Sequence, residues 1–344
     1  MQDRLVFLIG APRSGTTLMT RMLGSHARIH APAEPHLIPP LAHLGFHERV
    51  EKAPYDPVIT QIGLRELVAS LPGGEADYLA ALRLATDRLY ERALDAVPDD
   101  PAAGGPTLFL DKTPAYALVL DFLAKLYPQA RFLVLTRHPV AIWSSVIDSF
   151  FDGDHEAAHA HNPILERYVP ALARFLRDAP VPYLHVRYED MVKDPEQHLA
   201  AVCEFLGIEF DPGIVEYGGR GEATTAARGL GDPVTVAKET RPTTGSVGKW
   251  AKALETNPGR LAQCREIVAR LTDPDLATLG YDGAELRASL SAIEPRGAGP
   301  GRGQLTRHAL ERRALVTARK HTGPGRPLGN LVRFVRNACD VLLR

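Results

Sequence analysis

Cysteine is scarce. Cys203, Cys264 and Cys339 are the three in 344 residues, and they stand far apart. Such spacing offers no disulfide framework and no Cys-x-x-Cys metal pair, so the expected setting is a reducing cytosol with thiols as small core residues. Long apolar runs are missing too: nowhere do 18 apolar residues follow one another, which excludes a membrane-spanning helix. The apolar stretch before Gly10 is too short for a secretory signal. Both points lead to a cytoplasmic expectation. Net charge is nearly absent, with 40 Lys+Arg against 41 Asp+Glu, and this argues against a nucleic-acid coat. What remains is an ordinary globular composition, 45% hydrophobic and 24% charged, with enough chain for one large α/β domain or two modest ones.

The even charge balance conceals an asymmetry. Residues 300–344 hold ten Lys/Arg and two acids, a charge of +8, so the rest of the chain carries −9. A Gly/Pro-rich linker over 294–303 separates the two parts. Residues 1–293 read as the working domain and 304–344 as a basic helical appendage.

Four short apolar runs read as buried parallel strands: Leu5–Ile9, Thr107–Leu110, Phe132–Thr136 and Tyr183–Val186. Helical patterns follow each, over Thr16–Ser25, Ala115–Leu126, Pro139–Phe150 and Pro195–Leu206, the last with Asp194 as N-cap and Gly207 as stop. Alternation of this kind predicts a doubly wound parallel α/β sheet flanked by helices, with ligands at the carboxyl ends of the strands. Between the first two runs lies an insert over about 32–100, Pro- and His-rich at first and helical over Glu75–Val97. It is placed to cover a substrate or simply to pack on the sheet.

The strongest local signal is Gly10-Ala11-Pro12-Arg13-Ser14-Gly15-Thr16-Thr17, after a strand and opening a helix. Its glycine spacing is that of a P-loop, whose backbone N–H groups and helix N-terminus hold an anion. The lysine of that motif is missing; Thr16 takes its place and the cation is Arg13, inside the loop. Phosphoryl transfer leans on Mg²⁺ and that lysine, whereas a sulfuryl group carries less charge and needs only side-chain cations. A P-loop kinase or NTPase remains the alternative, because Leu110-Asp111 also reads as a strand ending in a Mg²⁺-binding carboxylate.

With Arg137 at a strand tip and Ser145 eight residues on, Gly10–Thr17 and Arg131–Ser145 together resemble the donor-binding motifs of sulfotransferases that use 3′-phosphoadenosine 5′-phosphosulfate (PAPS). The likeness is to the PRSGTT-type members, among them tyrosylprotein, heparan and bacterial natural-product sulfotransferases, and it runs from residue 4 to about 254. It implies that Arg13, Ser14, Gly15, Thr16 and Thr17 grip the 5′ side of the donor. Arg137 and Ser145 would take the 3′-phosphate, helped by the dipole of the following helix. Glu34, in Ala31–His36, would be the base that takes the acceptor proton, with His36 as runner-up. Lys112, in Asp111-Lys112-Thr113-Pro114, would stabilise charge on the transferred group. Tyr188 would lie beside the adenine, Lys249 would meet a donor phosphate, and Thr235 would donate a hydroxyl near the bridging oxygen. Thr244–Trp250 matches the family's late Gly-x-Trp segment loosely.

The resemblance thus implies sulfuryl transfer from PAPS to an acceptor hydroxyl without a metal, leaving 3′-phosphoadenosine 5′-phosphate. The acceptor would be a natural-product, carrier-bound, glycan or tyrosyl hydroxyl. A non-enzymatic nucleotide-binding module is the third reading. Leu328–Leu343 has the pattern of an amphipathic basic helix, suited to its own domain, an oligomer mate, an acidic carrier protein or an anionic membrane surface.

Overall fold

The computed structural model describes residues 1–32, 34–42, 57–97, 105–219 and 239–296, together with Leu331 and Val335. Among the described residues five strands, β1 Leu5–Ile9, β2 Ile29–His30, β3 Leu108–Asp111, β4 Arg131–Thr136 and β5 Tyr183–Arg187, form one sheet in the order β2-β3-β1-β4-β5. Every pairing is parallel. In chain order the described helices are α1 Thr16–Gly24, α2 Ile38–Ala42, α3 Pro57–Ser70, α4 Glu75–Asp95, α5 Leu120–Leu126, α6 Pro139–Phe150 and α7 His155–His161. They continue with α8 Ile164–Asp178, α9 Tyr188–Lys193, α10 Pro195–Leu206, α11 Lys249–Glu255, α12 Pro258–Arg270, α13 Asp273–Thr278 and α14 Gly283–Ser291.

Parallel strands covered on both faces are apolar at every position, and β1 is buried throughout. Leu5, Phe7 and Ile9 point into one layer, where they meet Phe132, Val134 and residues of α5, α6, α8 and α11–α14. Val6 and Leu8 point into the other, against α1, α9 and α10. The four expected strands stand within one residue of their predicted ends. The fifth, β2, is two residues long, too short to show a pattern in sequence.

The helix expected over 115–126 is split. Pro114–Leu118 winds as a 3₁₀ turn, Val119 leaves helical geometry (φ −129°, ψ 29°), and α5 follows. The tighter turn carries Tyr116 inward, where its hydroxyl donates to Asp111. By contrast α6 and α10 begin and end where their signals predict; Asp194 caps Gln197 N–H and Gly207 closes α10 at φ 67°.

The topology creates the site. From β1 the chain turns into the layer holding α1, and from β4 into the layer holding α6. The two connections diverge, so a crevice opens above the carboxyl ends of the adjacent strands β1 and β4. Helix α4 of the insert is part of the core, burying Tyr90 and Leu94. Of the expected linker and appendage, only Glu294–Arg296, Leu331 and Val335 fall among the described residues, and the last two are helical and exposed. Among the described residues no helix is long and apolar enough to cross a membrane.

Phe7 is fully buried at the centre of the sheet and meets the rings of Tyr116, Tyr127 and Phe132 at centroid distances of 6.2, 5.5 and 5.4 Å. Phe7→Ala is expected to destabilise the fold by about 3–5 kcal/mol, read as a lowered urea midpoint at unchanged slope.

Candidate functional site

The loop between β1 and α1 is built from left-handed residues. Arg13 has φ 70° and Gly15 φ 99°. For an arginine that conformation costs about 1–3 kcal/mol, sustained by the surrounding structure. At Gly15 a Cβ would also run into the Tyr188 ring, so both the angle and the close approach require glycine. No described side chain caps the start of α1, which leaves its first N–H groups to an anion. Ser14 is fully buried, and its Oγ has no partner among the described residues.

This loop opens on a cavity of about 450 Å³. From the β1 side Arg13, Gly15, Thr16 and Thr17 line it; from the β4 and β5 side come Arg137, Ser145 and Tyr188; Lys249 closes it. These sequence-chosen residues therefore share one cleft. Arg13 Nε donates to Ser145 Oγ at 3.0 Å, linking loop and α6. Arg137 donates to Arg13 O at 2.9 Å and to Ser246 O at 3.3 Å, and its guanidinium lies 4.4 Å over the Tyr188 ring. Tyr188 is fixed in turn by a 2.6 Å hydrogen bond between its hydroxyl and Ser246 Oγ. Burial, with Arg13 adding to it, pulls the Arg137 pKa below its ordinary value. Thr235 lies outside the described residues.

One N–H at the start of α6, the helix whose dipole the resemblance assigns to the 3′-phosphate, has a protein partner. His138 N–H, at the start of α6, donates to Glu189 Oε1 at 2.9 Å, while Tyr281 donates to Oε2 at 2.8 Å. A carboxylate thus takes one N–H at the helix end whose dipole the sequence assigns to a phosphate, because α9 begins directly after β5 and carries Glu189 across to it. His138 stacks on Trp250 (4.7 Å, 12°), fastening α11 to the tip of β4.

Glu34, Lys112 and His36 form a second group at the tip of β3 and do not line the cavity. Lys112 pairs with Glu34 Oε1, and His36 Nε2 lies 3.2 Å from Glu34 Oε2. Only 6% and 11% of the Lys112 and Glu34 side chains are exposed, against 42% for His36, so the imidazole is the solvent-facing end. His36 adopts φ 51° and its N–H donates to Thr113 Oγ1 at 3.3 Å. Behind Lys112, Asp111 is fully buried and accepts from Tyr90 at 2.7 Å and Tyr116 at 2.9 Å.

Sequence reasoning passed over other residues of the cleft. Ser144 and Asp148 line the cavity beside Ser145; Asp148 follows Ser145 at i+3, the helical spacing that could have pointed to it, and nothing local marks Ser144. Arg241 and Tyr217 also line the cavity, and no motif marks either one.

The sequence model described as the sulfotransferase family matches residues 6–212. The chain belongs to the sulfotransferase family. Nodulation protein NoeE of Sinorhizobium fredii is 31% identical over 238 residues, which are 62% of this chain and 52% of NoeE. The chain thus spans about half the length of that relative. Protein-tyrosine sulfotransferase 2 of Gallus gallus is 25% identical over 81% of this chain and 69% of its own. Among solved structures, the sulfotransferase domain from the Synechococcus PCC 7002 olefin synthase is 27% identical, covering 72% of this chain and 86% of its own at a TM-score of 0.45.

Burial pushes the Asp111 pKa from 3.8 up to about 7, against the opposing pull of Tyr90, Tyr116 and Lys112. The native state therefore binds a proton that the unfolded chain has lost, and stability falls as pH rises from about 4 to 7. Asp111→Asn removes this titration. Over that range the variant is expected to gain stability relative to the wild type, by on the order of 3 kcal/mol, in urea melts at stepped pH.

Proposed function

We propose that this chain moves a sulfuryl group from PAPS to an acceptor hydroxyl in a single in-line displacement, releasing 3′-phosphoadenosine 5′-phosphate. The observation that carries this reading is the single cavity into which two cationic strand tips open, Arg13 after β1 and Arg137 after β4. One nucleotide phosphorylated at both ends has a use for two such tips.

The residues fit that donor. The start of α1, with no side-chain cap among the described residues, and the Arg13 guanidinium suit its 5′ side, whereas Ser14 is fully buried and does not line the cavity. Arg137 and Ser145 are assigned to the 3′-phosphate, and Lys249 to a further phosphate oxygen. Tyr188 enters this reading as the platform that aims Arg137, with the adenine expected beside it. When bound, PAPS supplies the activated sulfuryl group. The Lys112 ammonium is assigned to charge building on the reacting oxygens. Glu34 takes the acceptor proton, and His36 holds its second oxygen and connects the pair to solvent. Because Lys112 and Glu34 neutralise each other, the pair can remain nearly buried until an acceptor enters.

The kinase reading is weakened by Asp111, whose complete burial beneath Tyr90 and Tyr116 keeps it from a metal at the phosphates. A module that merely binds nucleotide has no need of the Lys112–Glu34–His36 group. The acceptor is assigned as a hydroxyl of a natural product, a carrier-bound chain, a glycan or a tyrosyl peptide.

Calorimetry without metal is expected to show 3′-phosphoadenosine 5′-phosphate bound at least tenfold more tightly than ATP or ADP, about 1.4 kcal/mol. Tighter binding of ATP would return the site to the kinases. Glu34→Gln is expected to keep nucleotide affinity while lowering kcat about 10²- to 10⁴-fold; undiminished turnover would remove Glu34 from its role.

A further inference from the structure

The α6 wall of the cavity contains an oddity for an anion site. The adjacent Ser144 and Ser145 line it together with Asp148, one turn further along α6, and the Asp148 side chain is 53% exposed. A carboxylate facing a bound phosphate would repel it, and the repulsion grows as water is displaced from between them. The structure supplies a counterweight from behind. Arg260, on α12, is 4% exposed and does not line the cavity. Its Nη1 donates to Asp148 Oδ1 at 2.7 Å and its Nη2 to Oδ2 at 3.1 Å, a two-pronged pairing. The same Nη2 donates to Ser144 O at 2.9 Å and to Ser144 Oγ at 2.6 Å.

Two consequences follow. The pair cancels the Asp148 charge, so the α6 wall is close to neutral and the arginines and lysine opposite act unopposed by it. In addition, each serine already accepts from a cation, Ser144 from Arg260 and Ser145 from Arg13, so each hydroxyl proton is left to donate elsewhere. A wall offering two hydroxyl protons and no net charge suits an anion; the same wall without Arg260 carries a bare carboxylate.

We infer that Arg260 is a positioning residue for the anionic nucleotide, acting through Asp148 and Ser144 without touching the ligand. The inference deepens the reading of this cavity as a donor-nucleotide site and rests on it. Arg260 lies outside the 6–212 segment matched by the family, so it is a feature of the C-terminal helices that pack on α6 and α8.

The test measures 3′-phosphoadenosine 5′-phosphate binding by calorimetry for the wild type, R260Q, D148N and the double variant, at low and high salt. Arg260→Gln is expected to weaken binding fivefold or more. Adding Asp148→Asn to it is expected to recover at least fivefold, and the R260Q deficit is expected to shrink at high salt. A merely structural arginine gives no such rescue, so recovery below fivefold, or a deficit below fivefold in R260Q, overturns the inference. Should R260Q fail to fold, D148N decides alone: binding as tight as wild type or tighter supports the role. Weaker binding shows that Asp148 itself serves the ligand, and overturns it. Failure of the wild type to bind this nucleotide would count against the donor reading, and is distinguishable from a wild type that binds with no Arg260 effect.

Discussion

Two guanidinium groups held in one cleft impose the constraint on which the site depends. Arg137 donates to the backbone of Arg13, and burial already disfavours its charge. Like charges this close are costly unless they are offset. The Tyr188 ring lies under Arg137, Glu189 reaches the base of α6 nearby, and Asp148 faces the cavity with its own arginine behind it. None of these removes the excess of positive charge lining the cleft. In the proposed reading, the anionic nucleotide would offset it.

The parallel sheet makes this arrangement possible. Pairing of Ile9 with Val134 brings the first and fourth strand tips side by side, and the divergence of their connections leaves room above them. On the other side of β1, Phe7 pairs with Asp111, so Lys112 leaves β3 level with Leu8. Glu34, delivered by the segment after β2, meets Lys112 there. The two arginines of the cavity and the Lys112–Glu34 ion pair are thus carried at the tips of neighbouring strands.

The insert is tied to the chemistry from beneath. Tyr90 on α4 and Tyr116 on the 3₁₀ turn both donate to Asp111, immediately before Lys112. Helix α4 of the insert therefore has a buried polar connection to the strand tip that carries the lysine. Satisfying a fully buried carboxyl in this way leaves little freedom for the tip to shift.

Strands β1, β3, β4 and β5 were readable because buried parallel strands are continuous apolar runs, and α6 and α10 because proline, aspartate and glycine mark helix ends locally. The glycine loop and the Arg137–Ser145 spacing were readable for the same reason: their chemistry lies within a few consecutive residues. Strand β2 was too short to carry a period, and the amphipathic α8 went unread because it follows no strand or cap signal of the kind used. Arg260 meets Asp148 across 112 positions and Glu189 reaches His138 across 51, distances over which sequence has no pattern to show. Residue order alone determined which backbone would present its N–H groups and which side chains would be charged. Only the folded sheet and its covering helices decided which of those charges face one another, because that depends on packing distances between segments remote along the chain.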